Sequence, residues 1–357
     1  VWPLALLRQG KFDDAMKVAL EGRRLAQWYA DPVKEGYILN TMALIAIEQK
    51  NPAIAHGYLE RALVIARSTG DRRLESATLG NLGNSAGYIR KEYESAREYY
   101  EADYAISHER GDRSAEAAGL CNLGWAAGMQ GDFPSARAYN ERALQLAREV
   151  GHIYLETYTL INLSANTGFT NEAQASLGYA EKALELSWRA GDRSGEAWSL
   201  LYRGYAFLLL PDLSRAQDAF EGAMLIRDEL GQPGMKLEAL AGLIQVFLEK
   251  DDVASALNET EKILAYLDAG GTLEGAEAPL RVYYACYITL EKKGDPRSQT
   301  VLHSAVQMLE SQVSKLRSED SRRQYVENVP WRHAIQRAWH EASNPVKDND
   351  LPADRHH

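Results

Sequence analysis

The chain has 357 residues, 45% of them hydrophobic and 25% charged, and carries a formal net charge of −10. That is the balance of a soluble protein with a core, and its acidity excludes a nucleic-acid or anionic-membrane binder, which needs a basic surface to displace counterions. Two distant cysteines, Cys121 and Cys286, exclude a zinc knuckle or disulfide framework and point to a reducing, cytoplasmic setting.

No signal peptide opens the chain, and no apolar run reaches the length of a membrane span. It starts at Val1, partway through an expected helix, and reads as a segment of a longer protein. Each unit of the chain then holds two helices. In the second helix a small residue recurs at Ala15, Ala55, Ala96, Ala136, Ser176, Ala216 and Ala256, every 40 or 41 positions. Seven residues on, along the same face, come Gly22, Ala62, Asp103, Ala143, Ala183, Ala223 and Ile263. The first helix carries Leu39, Leu79, Leu120, Leu160, Leu200 and Leu240. Three and four residues later stand Met42-Ala43, Leu82-Gly83, Leu123-Gly124, Leu163-Ser164, Arg203-Gly204 and Leu243-Ile244. This is the buried stripe of an amphipathic helix, and a repeat of this period implies a solenoid.

Gly70, Gly111, Gly151, Gly191 and Gly231 stand where left-handed caps end the second helices, and Asp71, Asp112 and Asp192 are placed to cap the next ones. Short turns inside each unit, such as Gln9-Gly10-Lys11, Lys50-Asn51-Pro52 and Gly131-Asp132, make the paired helices antiparallel. The turn Thr167 to Glu172 reads as irregular. The expected organisation is a solenoid over 1–318, with units 1–30 (truncated), 31–70, 71–110, 111–150, 151–190, 191–230, 231–270 and a degenerate 271–318. A helical cap follows at 319–342, hinged at Asn328 to Pro330 with Pro330 at the first helical position, and then an aperiodic, disordered tail at 343–357.

These residues resemble the tetratricopeptide repeat, in the 40-residue variety of Pins/LGN-type polarity adaptors and of large bacterial signalling proteins. The resemblance covers roughly residues 1–315. It implies an all-α, right-handed superhelical solenoid of about 7–8 antiparallel helix pairs with a C-terminal capping helix, whose first helices line a concave groove. Departures from the pattern are Asp103 in an alanine place, expected at a solvated helix edge, Arg203 in a large apolar place, expected to reach the groove, and Ile244 in a small one.

On the groove, Asn81, Asn122 and Asn162 form a ladder whose amides suit the backbone of an extended peptide, or else tie adjacent repeats together. Asn84, Trp125 and Tyr205 follow the small residues, Tyr37, Tyr158 and Trp198 precede the repeated leucines by two, and Tyr202 stands in register with the ladder. Polar-tipped aromatics on such a face are candidate anchors, with partial burial as the alternative; Trp125 is the first choice among them.

Nothing points to catalysis, a metal or a cofactor. His108, His152, His303, His333 and His340 lack metal spacing, no phosphate loop is present, Asp13-Asp14 and Asp251-Asp252 suit helix starts, and Cys121 has no adjacent histidine. The expected role is a non-catalytic protein-interaction scaffold for a peptide or partner domain. The alternative is a sensor or autoinhibitory arm of a larger bacterial signal-transduction ATPase, cyclase or transcription regulator, with another domain of the same protein as partner. Self-association through 329–339, using Val329, Ile335, Ala338 and Trp339, is a third expectation, set against a capping role for that helix.

Overall fold

The computed structural model describes residues 3–8, 11–49, 51–273 and 275–343. Gln9, Gly10, Lys50 and, apart from Ser343, the tail expected to be disordered lie outside them. Every regular element among the described residues is helical, and the chain is an all-α repeat solenoid of helix pairs. It divides into two compact units, Val1–Leu210 and Pro211–His357.

In the first unit the pairs are α1 (Pro3–Arg8) with α2 (Phe12–Trp28), α3 (Pro32–Glu48) with α4 (Pro52–Thr69), α5 (Arg72–Asn84) with α6 (Tyr93–Glu109), α7 (Arg113–Gln130) with α8 (Phe133–Glu149), and α9 (Ile153–Phe169) with α10 (Ala173–Ala190), followed by α11 (Arg193–Leu209). The repeated alanines Ala15, Ala55, Ala96 and Ala136 are fully buried between the helices, as the 40-residue phase requires. Carboxylates of Asp31, Asp71, Asp112, Asp132 and Asp192 accept the backbone N–H three residues on and so cap their helices. His152 does the same with Nδ1, accepting from Leu155 N at 3.3 Å. The turn after α9 is regular: Asn171 takes a left-handed φ of 62°, the place filled by Gly131 one unit earlier at φ 81°.

One irregularity has a cause visible in the numbering. Leu39 to Ala55 and Leu120 to Ala136 each span 16 positions, but Leu79 to Ala96 spans 17. The extra residue is taken up by a π-turn at Ser85–Ile89 that continues α5, the usual way a helix absorbs one residue without losing its ends.

In the second unit α12 (Leu213–Glu229) is followed by the pairs α13 (Pro233–Glu249) with α14 (Val253–Asp268) and α15 (Pro279–Lys293) with α16 (Arg297–Val313), and then α17 (Glu319–Glu327) and α18 (Pro330–Ser343). Ile244 is fully buried in a cluster with Leu240, Ile263, Val282 and Cys286, where no small residue is needed. Helix α18 touches both α15 and α16, as α15 touches both α13 and α14, so it takes the place of a next first helix.

Part of the segment 329–339 expected either to self-associate or to cap the array is already covered within the chain. Val329, Trp331 and Ile335 are buried inside the chain, the Arg281 guanidinium lies 3.8 Å from the Trp331 ring centroid, and Arg332 lies 3.7 Å from that of Tyr325. Val329, Trp331 and Ile335 thus cover the α15–α16 pair, as a cap does, while Ala338 and Trp339 are half-buried.

Candidate functional site

The first helices of the first unit form a layer in which α7 touches α9 and α9 touches α11. Their phase is set by the buried leucines Leu39, Leu79, Leu120 and Leu160, so the residue two positions later comes to the same height on each. Asn81, Asn122 and Asn162 stand there, each half-buried.

Their chemistry differs. Asn81 Nδ2 donates to Asn40 Oδ1 at 2.9 Å. Asn162 Nδ2 donates to the Cys121 carbonyl at 3.2 Å and, at 3.4 Å, to Asn140 Oδ1. Both therefore join successive units. Asn122 makes no side-chain hydrogen bond among the described residues. Its counterpart to Asn40 and Cys121 in the preceding unit is Gly80, which brings no side chain.

Nearly one turn further on, at Trp125 and Asn84, the layer is filled by its own side chains. Trp125 is only 4% exposed. Tyr88, carried out of the α5 phase by the π-turn, stacks on it at 3.8 Å between centroids and 20° between planes, with the edge of Tyr93 at 5.9 Å. The expectation of an open Trp125 is corrected: the extra residue of the neighbouring unit supplies its cover. Asn84 Oδ1 accepts from the Tyr100 hydroxyl at 2.9 Å, which ties that amide to α6. Tyr202 is buried as well and lies 6.3 Å from Trp198 and 6.5 Å from Tyr205. Tyr158, Trp198 and Tyr205 are half-buried against that cluster, and Tyr37 is exposed. The open part of the layer is thus its first half, from Tyr37 through Asn81, Asn122, Tyr158 and Asn162 to Trp198.

Two buried amides beneath it have no counterpart in the sequence reading. Asn140 and Asn166 lie against the bare Cα atoms of Gly124 and Gly128, each with a buried Nδ2 that has no partner. Asn140 occupies the phase held by Leu59, Tyr100 and Phe220 in other units, a polar substitution that comparison of the repeats exposes.

A series of clamps recurs in the same phase from unit to unit. Glu75, Glu116, Glu156 and Glu196 each receive the residue eight positions earlier at the end of the preceding second helix: Arg67 at 3.0 Å, His108 at 3.3 Å, Arg148 at 2.7 Å and the Trp188 indole N–H at 2.9 Å. They hold units together at the layer's edge.

The two departures from the repeat pattern in this unit both turn inward or onto the helix itself. Asp103, expected in solvent, is buried, and its carboxylate accepts from the Ser76 hydroxyl at 2.5 Å. Gly80 leaves room for it, since a Cβ there would come 3.2 Å from Asp103 Oδ2. Burial pushes its pKa up to about 6 against the hydrogen bonds of Ser76 and Ser107. The Arg203 guanidinium lies over the Phe207 ring of its own helix at 5.2 Å.

Burial pushes the Cys121 thiol up to about 11, the opposite of what a nucleophile needs. Among the described residues no group of three or more His, Cys, Asp or Glu side chains could hold a metal ion. No described helix is long and apolar enough to cross a membrane.

A tetratricopeptide repeat family model matches residues 85–149. No curated protein matches the sequence. Among solved structures, a Rap protein complexed with competence and sporulation factor shares 14% identity over 95% of this chain and 96% of its own, with a TM-score of 0.60. NprR in complex with its cognate peptide NprX shares 13% over 91% and 99%, with a TM-score of 0.55. The STAND protein with a tetratricopeptide repeat sensor from Pyrococcus horikoshii shares 20% over 75% of this chain, with a TM-score of 0.58, and only 42% of that protein is covered. At such identities the likeness is one of fold.

Proposed function

We propose that this array of tetratricopeptide repeats is a non-catalytic interaction module that holds an extended peptide segment along the first helices of its first unit. The observation that carries the reading is Asn122. Its two neighbours in the ladder each engage the Nδ2 group in joining units, whereas the Asn122 amide keeps a donor pair and an acceptor for a ligand, which matches the alternating C=O and N–H of an extended backbone. Two of the fold relatives are described with a bound factor or peptide. A third is described as carrying a tetratricopeptide repeat sensor, and the second reading is a sensor arm whose groove takes a segment of the same larger protein.

The test separates joints from ligand contacts. Asn81→Ala and Asn162→Ala are expected to cost about 1–2 kcal/mol of stability, the worth of a lost buried hydrogen bond. Asn122→Ala should stay within about 0.5 kcal/mol of the parent in urea unfolding, while weakening a peptide selected from a displayed random library about tenfold or more. An Asn122→Ala protein that loses stability but keeps its peptide would make Asn122 a third joint and remove the reading.

A further inference from the structure

The charges of the first unit are distributed unevenly. No Asp, Glu, Lys or Arg occurs in residues 36–47, 76–84, 117–130 or 157–169, the bodies of α3, α5, α7 and α9. Burial explains much of that stretch but not all of it. Tyr37 and Ala77 are exposed, and Ala118, Asn122, Tyr158 and Asn162 are half-buried, so water reaches a strip that in a chain with 25% charged residues bears none. The charges sit instead in the first turns, where Glu75, Glu116 and Glu156 are engaged by the preceding helix, and on the second helices. In α11 the single charge in the helix body, Arg203, lies on its own Phe207.

Resting on the groove reading above, we infer that the ligand segment is internal and uncharged: an extended stretch that offers its backbone to Asn122 and an aromatic or aliphatic side chain to Trp198 and Tyr158, with no terminal carboxylate, phosphate or basic anchor. A carboxylate or phosphate is fixed by Arg or Lys, and a basic side chain by a carboxylate; Asp71, Arg73 and Arg110 stand near Tyr37 at one end, but the part of the strip from Asn122 to Trp198 supplies neither from its own residues. Burying a ligand charge there without a partner costs more than the contact returns. Aromatic faces with a neutral amide between them return most when the ligand is apolar with its backbone groups exposed. Neighbouring first helices pack about 8–10 Å apart, and an extended strand advances about 3.3 Å per residue. Asn122 on α7 and Trp198 on α11 are therefore bridged by about six ligand residues.

Selection of random peptides of about twelve residues on the full chain, followed by titration, reads this directly. Enriched peptides are expected to hold an uncharged stretch of about six residues and to bind equally well with an amidated C-terminus. Their affinity should change less than about twofold between about 0.1 M and about 1 M salt, and should fall about tenfold in Asn122→Ala. Peptides that lose affinity in Asn122→Ala but carry a fixed acidic or basic residue, need a free carboxylate, or weaken about tenfold in high salt would overturn the inference and leave the groove standing. Peptides that bind Asn122→Ala as tightly as the parent, or a selection that enriches nothing, would remove the groove reading and the inference with it.

Discussion

At the scale of single residues, the informative positions are those where one unit departs from its copies. Asp103 holds the place of Ala62 and Ala143, and buries a carboxylate that two serine hydroxyls only partly compensate. Its pKa is about 6 in the folded chain against 3.8 for a free aspartate. Between these values the native state holds the proton more tightly than the unfolded state. Stability is therefore highest below the unfolded value and falls as pH rises through the folded one. Asp103→Asn keeps a similar shape without the charge. It should be more stable than the parent above about pH 6, by about 1–3 kcal/mol, with the gap closing below about pH 4. Denaturant midpoints across that range check it, and an equal pH slope in both proteins would assign the slope to other groups. The departure itself was visible in the repeat; its burial was not, because a single position between two helices is solvated or enclosed according to how far the flanking helix leans, and Gly80 lets α5 close over it.

At the scale of elements, the π-turn shows how one inserted residue propagates. The interval of 41 was legible, but a count says only that a residue has been added, not whether a loop lengthens or a helix swells. The structure places it at Ser85–Ile89, which turns Gly87 toward Trp125 and lays Tyr88 over the indole. A Cβ at Gly87 would come 2.6 Å from Trp125 Cζ3 and 3.2 Å from Ala96 Cβ. Gly87→Ala should thus destabilise by about 1–3 kcal/mol despite alanine's better helix propensity. It should also raise acrylamide quenching of Trp125 in a protein whose other tryptophans are replaced. Unchanged stability and quenching would mean that the turn yields freely and that Trp125 is not held by it.

At the scale of the whole molecule, the α17–α18 segment closes one of the two compact units. The sequence allowed both a cap and a self-association surface, because an amphipathic helix shows that one face is covered without showing by what. Contacts with α15 and α16, and the stacking of Arg281 on Trp331, place that cover within the chain. Trp331→Ala is expected to cost about 3–5 kcal/mol, as for other buried tryptophans, and to expose the apolar face so that light scattering detects association that the parent lacks. A parent already dimeric at micromolar concentration, broken to monomer by Trp331→Ala, would restore the opposite view.

What the sequence by itself determined is whatever depends on periodicity within about 40 residues: the helix pairs, their caps, the buried alanine and leucine faces, and the height at which Asn81, Asn122 and Asn162 stand. A helix face is a local property, since 3.6 residues per turn sets it regardless of neighbours. Tertiary structure alone decided which of those asparagines is free, that Trp125 is covered, and that Asp103 is enclosed. Each depends on what the adjacent unit presents within hydrogen-bonding or van der Waals range: Asn40 to Asn81, the Cys121 carbonyl to Asn162, and Gly80 opposite Asn122. Spacing along a chain carries a residue's phase but not the few ångströms between neighbouring helices, and that distance decides whether an asparagine of the layer is a joint between units or keeps its amide unbonded.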